Sequence, residues 1–176
     1  MKMMKTIEMR KSTREYKSEQ ITDESLAVIL NSGCAAPVAN GAYDSVHLTV
    51  IQSNNLLDQI TKVTANIYGN PKMKPFYGAP TVVVVSGKAN KKAPNIEIAN
   101  AACIIENMAL EATNIGLGSV YLWGFLTSFS TDKELLKKLD LPEGFVPVSA
   151  IALGYPTEPL IKTKELKQTI KTNIIK

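Results

Sequence analysis

The chain has 176 residues, 45% hydrophobic and 20% charged, a composition typical of a globular protein, and we expect one domain over residues 1–176. No apolar run reaches the roughly 18 residues that would suggest a bilayer span, and Met1 to Glu8 lacks the apolar stretch of a secretory signal, so we expect a cytoplasmic protein without a membrane partner. The net charge of +4 comes from lysines spread along the chain, without the clustered basic and aromatic residues of a nucleic-acid-binding face, so we expect no nucleic-acid partner.

The first part of the chain predicts a helix, a strand and a second helix. Ile21-Thr22-Asp23 supplies a capping residue and an acidic first turn, and apolar residues then recur at helical spacing until Gly33. After a loop over residues 37–44, residues 46–51 alternate partly between apolar and polar side chains, as a strand does. Residues 55–68 have the pattern of a helix.

The middle of the chain predicts a central strand and a long helix. A loop over residues 70–80 leads into Thr81–Val85, a β-branched run typical of a strand buried on both faces. From Ile96 to Ile115 apolar residues return every three or four positions, which predicts a long helix that ends at Gly116.

The last part predicts two strands separated by a short helix. Residues 119–125 form an apolar run typical of a strand, and Thr131-Asp132-Lys133-Glu134 is a capping box that begins a helix. Residues 146–153 predict a last strand, and the tail from Lys164 predicts a helix or an extended arm. Helices alternating with strands indicate a layered sheet covered by helices, and the pattern leaves the strand directions open.

Two groups of residues bear on the chemistry that the chain could perform. The run Arg10 to Arg14 holds the only arginines of the chain, with a hydroxyl between them, and arginine forks match phosphate oxygens. On its own the run is weak evidence for phosphate binding, because a solvated charged turn explains it without any ligand. Cys34 and Cys103 stand far apart with no histidine cluster, which predicts reduced, structural cysteines and neither a disulfide nor a metal site.

Read together, five features resemble the nitroreductase family of FMN enzymes, in the family's order and approximate spacing. They are Arg-x-Ser-x-Arg near the start, Ala-Pro-Val-Ala after the first main helix, Gly-Ala-Pro before the valine strand, Gly116-Leu117-Gly118-Ser119-Val120 after the long helix, and Ala152-Leu153-Gly154-Tyr155-Pro156. The resemblance covers nearly the whole chain. It implies an α+β, three-layer fold whose central sheet is mixed but mostly antiparallel and flanked by helices. It also implies a domain-exchanged homodimer whose two FMN sites draw on both subunits.

The resemblance assigns cofactor-binding residues one by one. Arg10, Lys11, Ser12 and Arg14 match the contacts to the FMN phosphate and ribityl chain, while Pro37, Val38, Ala39 and Asn40 match a partner-subunit loop that lines the isoalloxazine. Leu122, Trp123 and Gly124 match the stretch whose backbone approaches the reactive side of the flavin, where a glycine lets the main chain come close. Lys162 and Lys164 match a basic pair near the phosphate. For Leu122 to Gly124 a plain buried strand is the alternative. Trp123 is expected in a pocket wall, with a core aromatic or part of a dimer surface as its alternatives.

The chain departs from the family where the substrate would lie. Residues 40–45 read Asn-Gly-Ala-Tyr-Asp-Ser, whereas the family's loop usually continues to an Asn and then Gln-Pro-Trp. Trp123 stands where an acidic residue is common in the family. The chain is also shorter than many members, so we expect a more open or differently shaped pocket. Tyr43 is the candidate for substrate contact, whereas His47 lies in an alternating strand and is not expected to be catalytic.

The function that the resemblance implies is an FMN-dependent oxidoreductase working by a ping-pong mechanism. It would take a hydride from NADH or NADPH and reduce a nitroaromatic, quinone or related acceptor. No catalytic side chain is expected, because FMN carries the chemistry and the protein supplies orientation and electrostatics. A non-catalytic FMN or nucleotide binder that stores or senses the cofactor is the alternative, and relatives with this fold also perform reductive dehalogenation or cleave the flavin itself.

Overall fold

The computed structural model describes residues 2–176 and contains one four-stranded sheet between helices. The strands are β1 (Val46–Ile51), β2 (Thr81–Lys88), β3 (Gly118–Leu122) and β4 (Phe145–Gly154). The helices are α1 (Met3–Met9), α2 (Asp23–Cys34), α3 (Asn54–Ile67), α4 (Ile96–Asn114), α5 (Thr127–Thr131) and α6 (Lys133–Lys137). The strand order across the sheet is β1-β2-β4-β3.

Within residues 2–176 the neighbouring strands of the sheet all pair antiparallel, and parallel pairing is confined to a single bridge between Ser12 and Ser119. The expected α+β fold with a mostly antiparallel sheet is confirmed. Strands β2 and β4 are central, and the four valines Val82 to Val85 are fully buried, as the β-branched run predicted.

Alternate residues of the central strands enter two separate apolar clusters, which makes the fold three layers deep. Val83 and Val85 face α2 and α4, where they meet Ile29 and Met108. Residues of the opposite pleat, such as Val84, face α3, α5 and α6 across the other cluster. This division follows from the twofold alternation of side chains along a strand.

The helix limits follow local signals. Thr22 caps α2 because its hydroxyl oxygen accepts a hydrogen bond from the backbone N–H of Ser25, and Ser53 caps α3 in the same way. Asp132 caps α6, so the capping residue lies one position after the Thr131 that the predicted capping box began with. The long helix α4 is followed by Gly116, whose positive φ of 82° is the left-handed conformation that ends many helices.

Other expectations are corrected by the structure. The strand predicted over 119–125 ends at Leu122, and Gly124–Leu126 forms a 3-10 turn. Residues 161–176 contain no helix or strand and run as an exposed arm, which settles the two alternatives for the tail. Helices α1 and α5 were not predicted. Both cysteines are free thiols, but both are exposed and are not part of the core.

Candidate functional site

The basic segment Arg10 to Arg14 lies along the edge of the sheet beside β3. The Thr13 N–H donates to the carbonyl of Ser119 over 2.9 Å, and the Thr13 side chain is buried against Gly118. Because alternate residues of an extended segment point to opposite sides, Ser12 and Arg14 both face outward and are exposed. The sheet edge therefore presents a hydroxyl and a guanidinium side by side.

Arg10 lies where three parts of the chain meet. It directly follows α1 as the C-cap residue, and its Nε is 3.6 Å from Oε1 of Glu106 on α4. The arm returns to the same place, because the N–H of Lys164 donates to the carbonyl of Glu8 over 2.9 Å and its Nζ is 3.5 Å from the carbonyl oxygen of Arg10. Two of the predicted phosphate contacts, far apart in sequence, are thus neighbours. Lys162 lies on the same arm and is exposed.

A polar cavity of about 300 Å³ borders the basic segment. Lys11, Ser12 and Arg14 line one side of it, and Glu15 and Glu158 contribute opposite charge. Two buried hydroxyls beneath the segment, those of Thr13 and Ser119, have no hydrogen-bond partner within the described part of the chain. Unpaired buried hydroxyls are costly, so this edge of the sheet keeps unused hydrogen-bonding capacity.

A larger cavity, of about 570 Å³, lies beyond the end of β3. One wall is the backbone and side chains of residues 121–125, which include Leu122, Trp123 and Gly124, and the other is the loop from Asn70 to Tyr77. Trp123 is 65% exposed, so it is a wall residue and not the core aromatic that was one alternative. Lys72 and Lys74 supply positive charge, and no acidic side chain is among the described lining residues.

Gly124 leaves open space beside its backbone at this cavity, which the side chain of any other residue would fill. A Cβ built on Gly124 would lie no closer than 3.8 Å to another group, the hydroxyl of Tyr68. The glycine is therefore not required by packing in the chain itself. What it provides is open space against the backbone, where the face of a flat ligand can approach closely.

Tyr16 supports the backbone of the basic segment through a hydrogen bond. Its hydroxyl donates to the carbonyl of Thr13 over 2.9 Å. Burial raises the pKa of the Tyr16 phenol well above its usual value, an effect that Tyr77 adds to and the Arg14 guanidinium partly opposes. Tyr16 is therefore a neutral, hydrogen-bonded support for the backbone between Ser12 and Arg14.

The predicted partner loop lies elsewhere in the chain. Val38 is buried in the α2–α4 cluster, Pro37 and Asn40 are exposed, and the Ala39 N–H donates to Oδ1 of the buried Asn100 over 3.0 Å. Ala39 and Asn40 line a different cavity, of about 280 Å³, together with Lys88 and Glu97. Tyr43 is 54% exposed and donates a hydrogen bond to the carbonyl of Ala36. One chain thus presents two separate parts of the predicted site.

Sequence reasoning missed one wall of the larger cavity. Residues 70–77 were recognised only as a loop, yet Asn70, Lys72, Lys74 and Tyr77 face the predicted flavin stretch across it. The available signal was a long connection rich in lysine and aromatic residues between two regular elements, and such loops often carry function.

Residues 2–176 lack two kinds of feature. None of their helices is long and apolar enough to cross a membrane. In the same range, no three His, Cys, Asp or Glu side chains come together in a group that could hold a metal ion.

Comparison with known proteins gives a consistent result. The model of the nitroreductase family matches residues 7–155. A provisionally named NADH dehydrogenase/NAD(P)H nitroreductase of Archaeoglobus fulgidus is 32% identical over 155 residues, covering 88% of this chain and 86% of that protein.

Solved structures show the same fold over the full length. The crystal structure of a nitroreductase with bound FMN from Bacteroides fragilis has a TM-score of 0.81 and 29% identity, covering 99% of this chain and 100% of that chain. A nitroreductase with bound FMN from Desulfitobacterium hafniense has a TM-score of 0.84 at 22% identity, covering 99% and 98% of the two chains.

Proposed function

The chain belongs to the nitroreductase family, and on that premise we propose that it is an FMN-dependent oxidoreductase that takes a hydride from NADH or NADPH and reduces a nitroaromatic, quinone or related acceptor. The observation that carries the proposal is the arrangement around β3. A basic, hydroxyl-bearing segment lies beside the start of this strand, and a cavity bordered by lysines, aromatic rings and an unobstructed glycine lies beyond its end.

The residues present fit FMN at both of its ends. Arg10, Lys11, Ser12, Arg14 and Lys164 offer charge-assisted and neutral hydrogen bonds suited to a phosphate and a ribityl chain. The cavity between residues 70–77 and 121–125 offers apolar and aromatic surface for a ring system, with lysines for its polar edge.

The protein's own contribution is orientation and electrostatics. Arg10 and Arg14 would fix the position of the phosphate and ribityl end, Lys72 and Lys74 would favour negative charge at the ring end, and Gly124 would let the backbone approach the ring closely. Bound FMN would supply the redox chemistry, accepting a hydride from the nicotinamide and passing electrons to the acceptor in a separate half-reaction. Trp123, exposed at the rim, would shape the access of donor and acceptor in turn.

We also propose that residues 1–176 act as one FMN-binding domain that works as a homodimer. The arm after Leu160 exposes Ile161, Ile170, Ile174 and Ile175, and α2 and α4 expose Val28 and Ile98. Covering these side chains with a second chain would remove their apolar surface from water, which favours association. A second chain would cover it and bring its own loop of residues 37–40 to the first chain's cavity. Light scattering at micromolar concentration should give the mass of two chains, and a monomeric mass would refute this part of the proposal.

Anaerobic reduction separates an oxidoreductase from a protein that stores or senses FMN. The FMN-loaded protein is mixed with NADH or NADPH, and the flavin absorbance is followed before a nitroaromatic or quinone is added. We expect rapid bleaching by at least one donor and recovery of the absorbance on adding the acceptor. Retained flavin that neither donor bleaches would support the storage or sensing role instead.

A further inference from the structure

Two hydroxyl groups converge on the backbone carbonyl of Gly124. The Tyr68 hydroxyl donates to this oxygen over 3.1 Å, and Oγ1 of Thr127 donates to it over 3.0 Å. A carbonyl oxygen has two lone pairs, so the two donors fill its capacity. The peptide that follows Gly124 is therefore fixed in one orientation, although the residue itself is exposed.

The Tyr68 bond joins the two walls of the larger cavity. Tyr68 directly follows α3 and precedes Asn70 by two residues, at the start of the loop that forms one wall. Gly124 belongs to the opposite wall, two residues after the end of β3. Thr127 begins α5, three residues after Gly124, and donates to the same carbonyl from the same part of the chain. The hydrogen bond from Tyr68 to the Gly124 carbonyl therefore connects the two walls of the cavity, and we call it the Tyr68 tie. Thr127 supports the carbonyl only locally.

The Tyr68 side chain has little role in packing. It is 50% exposed, and within the described part of the chain it belongs to neither apolar cluster. The ring is half exposed at the end of a helix, and its hydroxyl bonds to a residue 56 positions away. The hydrogen bond therefore positions the Tyr68 side chain more than burial does.

We propose that Tyr68 is a positioning residue of the flavin site, which acts through the Gly124 carbonyl to hold the 122–124 backbone against the 70–77 loop. The proposal rests on the proposed function, since it assigns Gly124 to the face of FMN. Loss of the tie would leave the fold intact and let the two walls separate, so the bound flavin would lose affinity and change its environment.

The test compares Tyr68→Phe, Thr127→Val and the double variant. Thr131→Val is the matched control, because Thr131 is a β-branched residue of the same helix whose hydroxyl donates to the carbonyl of Thr127, not of Gly124. Three quantities are measured for each full-length protein: the dissociation constant of FMN by fluorescence titration, the visible spectrum of bound FMN, and the melting temperature without FMN.

We expect Tyr68→Phe to raise the FMN dissociation constant about two- to tenfold, the range of one hydrogen bond, and to shift the visible bands of bound FMN. The double variant should lose more than either single variant, while Thr131→Val matches wild type. The Tyr68–Gly124 hydrogen bond is exposed and water can replace it, so the melting temperature of Tyr68→Phe without FMN should stay at the wild-type value.

Unchanged affinity and spectrum in the double variant would overturn the inference, and so would a melting temperature of Tyr68→Phe that falls in step with affinity, since that indicates a purely structural bond. A wild-type chain that binds no FMN would instead refute the proposed function, and the inference with it. The wild-type titration therefore distinguishes the two failures.

Discussion

The guanidinium carbon of Arg14 lies 5.8 Å from the centroid of the Tyr77 ring. This contact connects the basic segment at the sheet edge to the loop that lines the larger cavity. Tyr77 has a φ of 56°, a left-handed conformation that is uncommon for an aromatic residue, and Gly78 follows it with a φ of 80°. The chain accepts this strained backbone at the place where the ring meets Arg14.

Replacing the Tyr77 ring should weaken FMN binding through Arg14. A cation–π contact at a partly exposed site contributes about 0.5–1 kcal/mol, so Tyr77→Leu should raise the FMN dissociation constant about two- to fivefold. Tyr77→Phe keeps the ring and should bind as wild type does. Fluorescence titration of both variants measures the difference, and equal affinities for the two would show that the ring does not orient Arg14.

Replacing Arg10 should weaken the binding of the FMN phosphate. Loss of a charge-assisted phosphate contact costs about 1.5–3 kcal/mol, so Arg10→Ala should bind FMN about ten- to a hundredfold more weakly. Lys5→Ala is the control, because Lys5 is a nearby cation that pairs with Glu8 on the surface of α1. If titration gives Arg10→Ala the same affinity as Lys5→Ala, the phosphate assignment is wrong.

Two glycines should respond to substitution in opposite ways. A Cβ at Gly118 would lie 2.8 Å from the side chain of the buried Thr13, so Gly118→Ala should lower the free energy of unfolding by about 1–3 kcal/mol. Gly124→Ala meets no atom closer than 3.8 Å and should change stability by less than about 0.5 kcal/mol, yet weaken FMN binding. Chemical denaturation without FMN, followed by titration, checks both. A Gly124→Ala protein with wild-type FMN affinity would place the flavin elsewhere.

Tyr16 should make the protein sensitive to alkaline pH. The folded state raises the pKa of Tyr16, chiefly by burial, so the unfolded chain releases this proton first as the pH rises. The contribution of Tyr16 to stability is therefore complete below the usual tyrosine pKa of about 10 and is lost progressively above it. Unfolding free energies from pH 8 to 11 should fall less steeply in Tyr16→Phe than in wild type. Tyr121→Phe, which removes an exposed phenol, is the control, and a slope for Tyr16→Phe equal to that of the control would contradict the assignment.

Local sequence patterns predicted most of the regular elements, and they did so where burial dictates residue type. The run Val82 to Val85 identified β2 because a strand covered on both faces needs apolar β-branched residues throughout. The apolar pattern did not reveal where β3 ends, because the 3-10 turn that follows contains a buried apolar residue, Phe125, just as a strand would. The short helices α1 and α5 lacked a long apolar period, and the strand order depends on contacts distant in sequence.

The candidate site was only half predictable for a similar reason. Arg10 belongs to one of the motifs of the resemblance, and Gly124 to a stretch matched to the family, so the resemblance made both of them candidates. Lys74 and Tyr77 lie in a loop without a motif, and their place opposite Gly124 comes from the folding of residues 70–77 over the end of β3. The hydrogen bond from Tyr68 to Gly124 joins residues 56 positions apart and has no sequence signature.

The most direct test of this account is the visible absorption spectrum of the purified protein after FMN is added and the excess removed. We predict a retained flavin spectrum with about one FMN per chain, and a weaker flavin spectrum when the Arg10→Ala protein is treated identically. A wild-type protein that emerges colourless would contradict the central claim, because the basic segment and the cavity beyond β3 would then not form a flavin site.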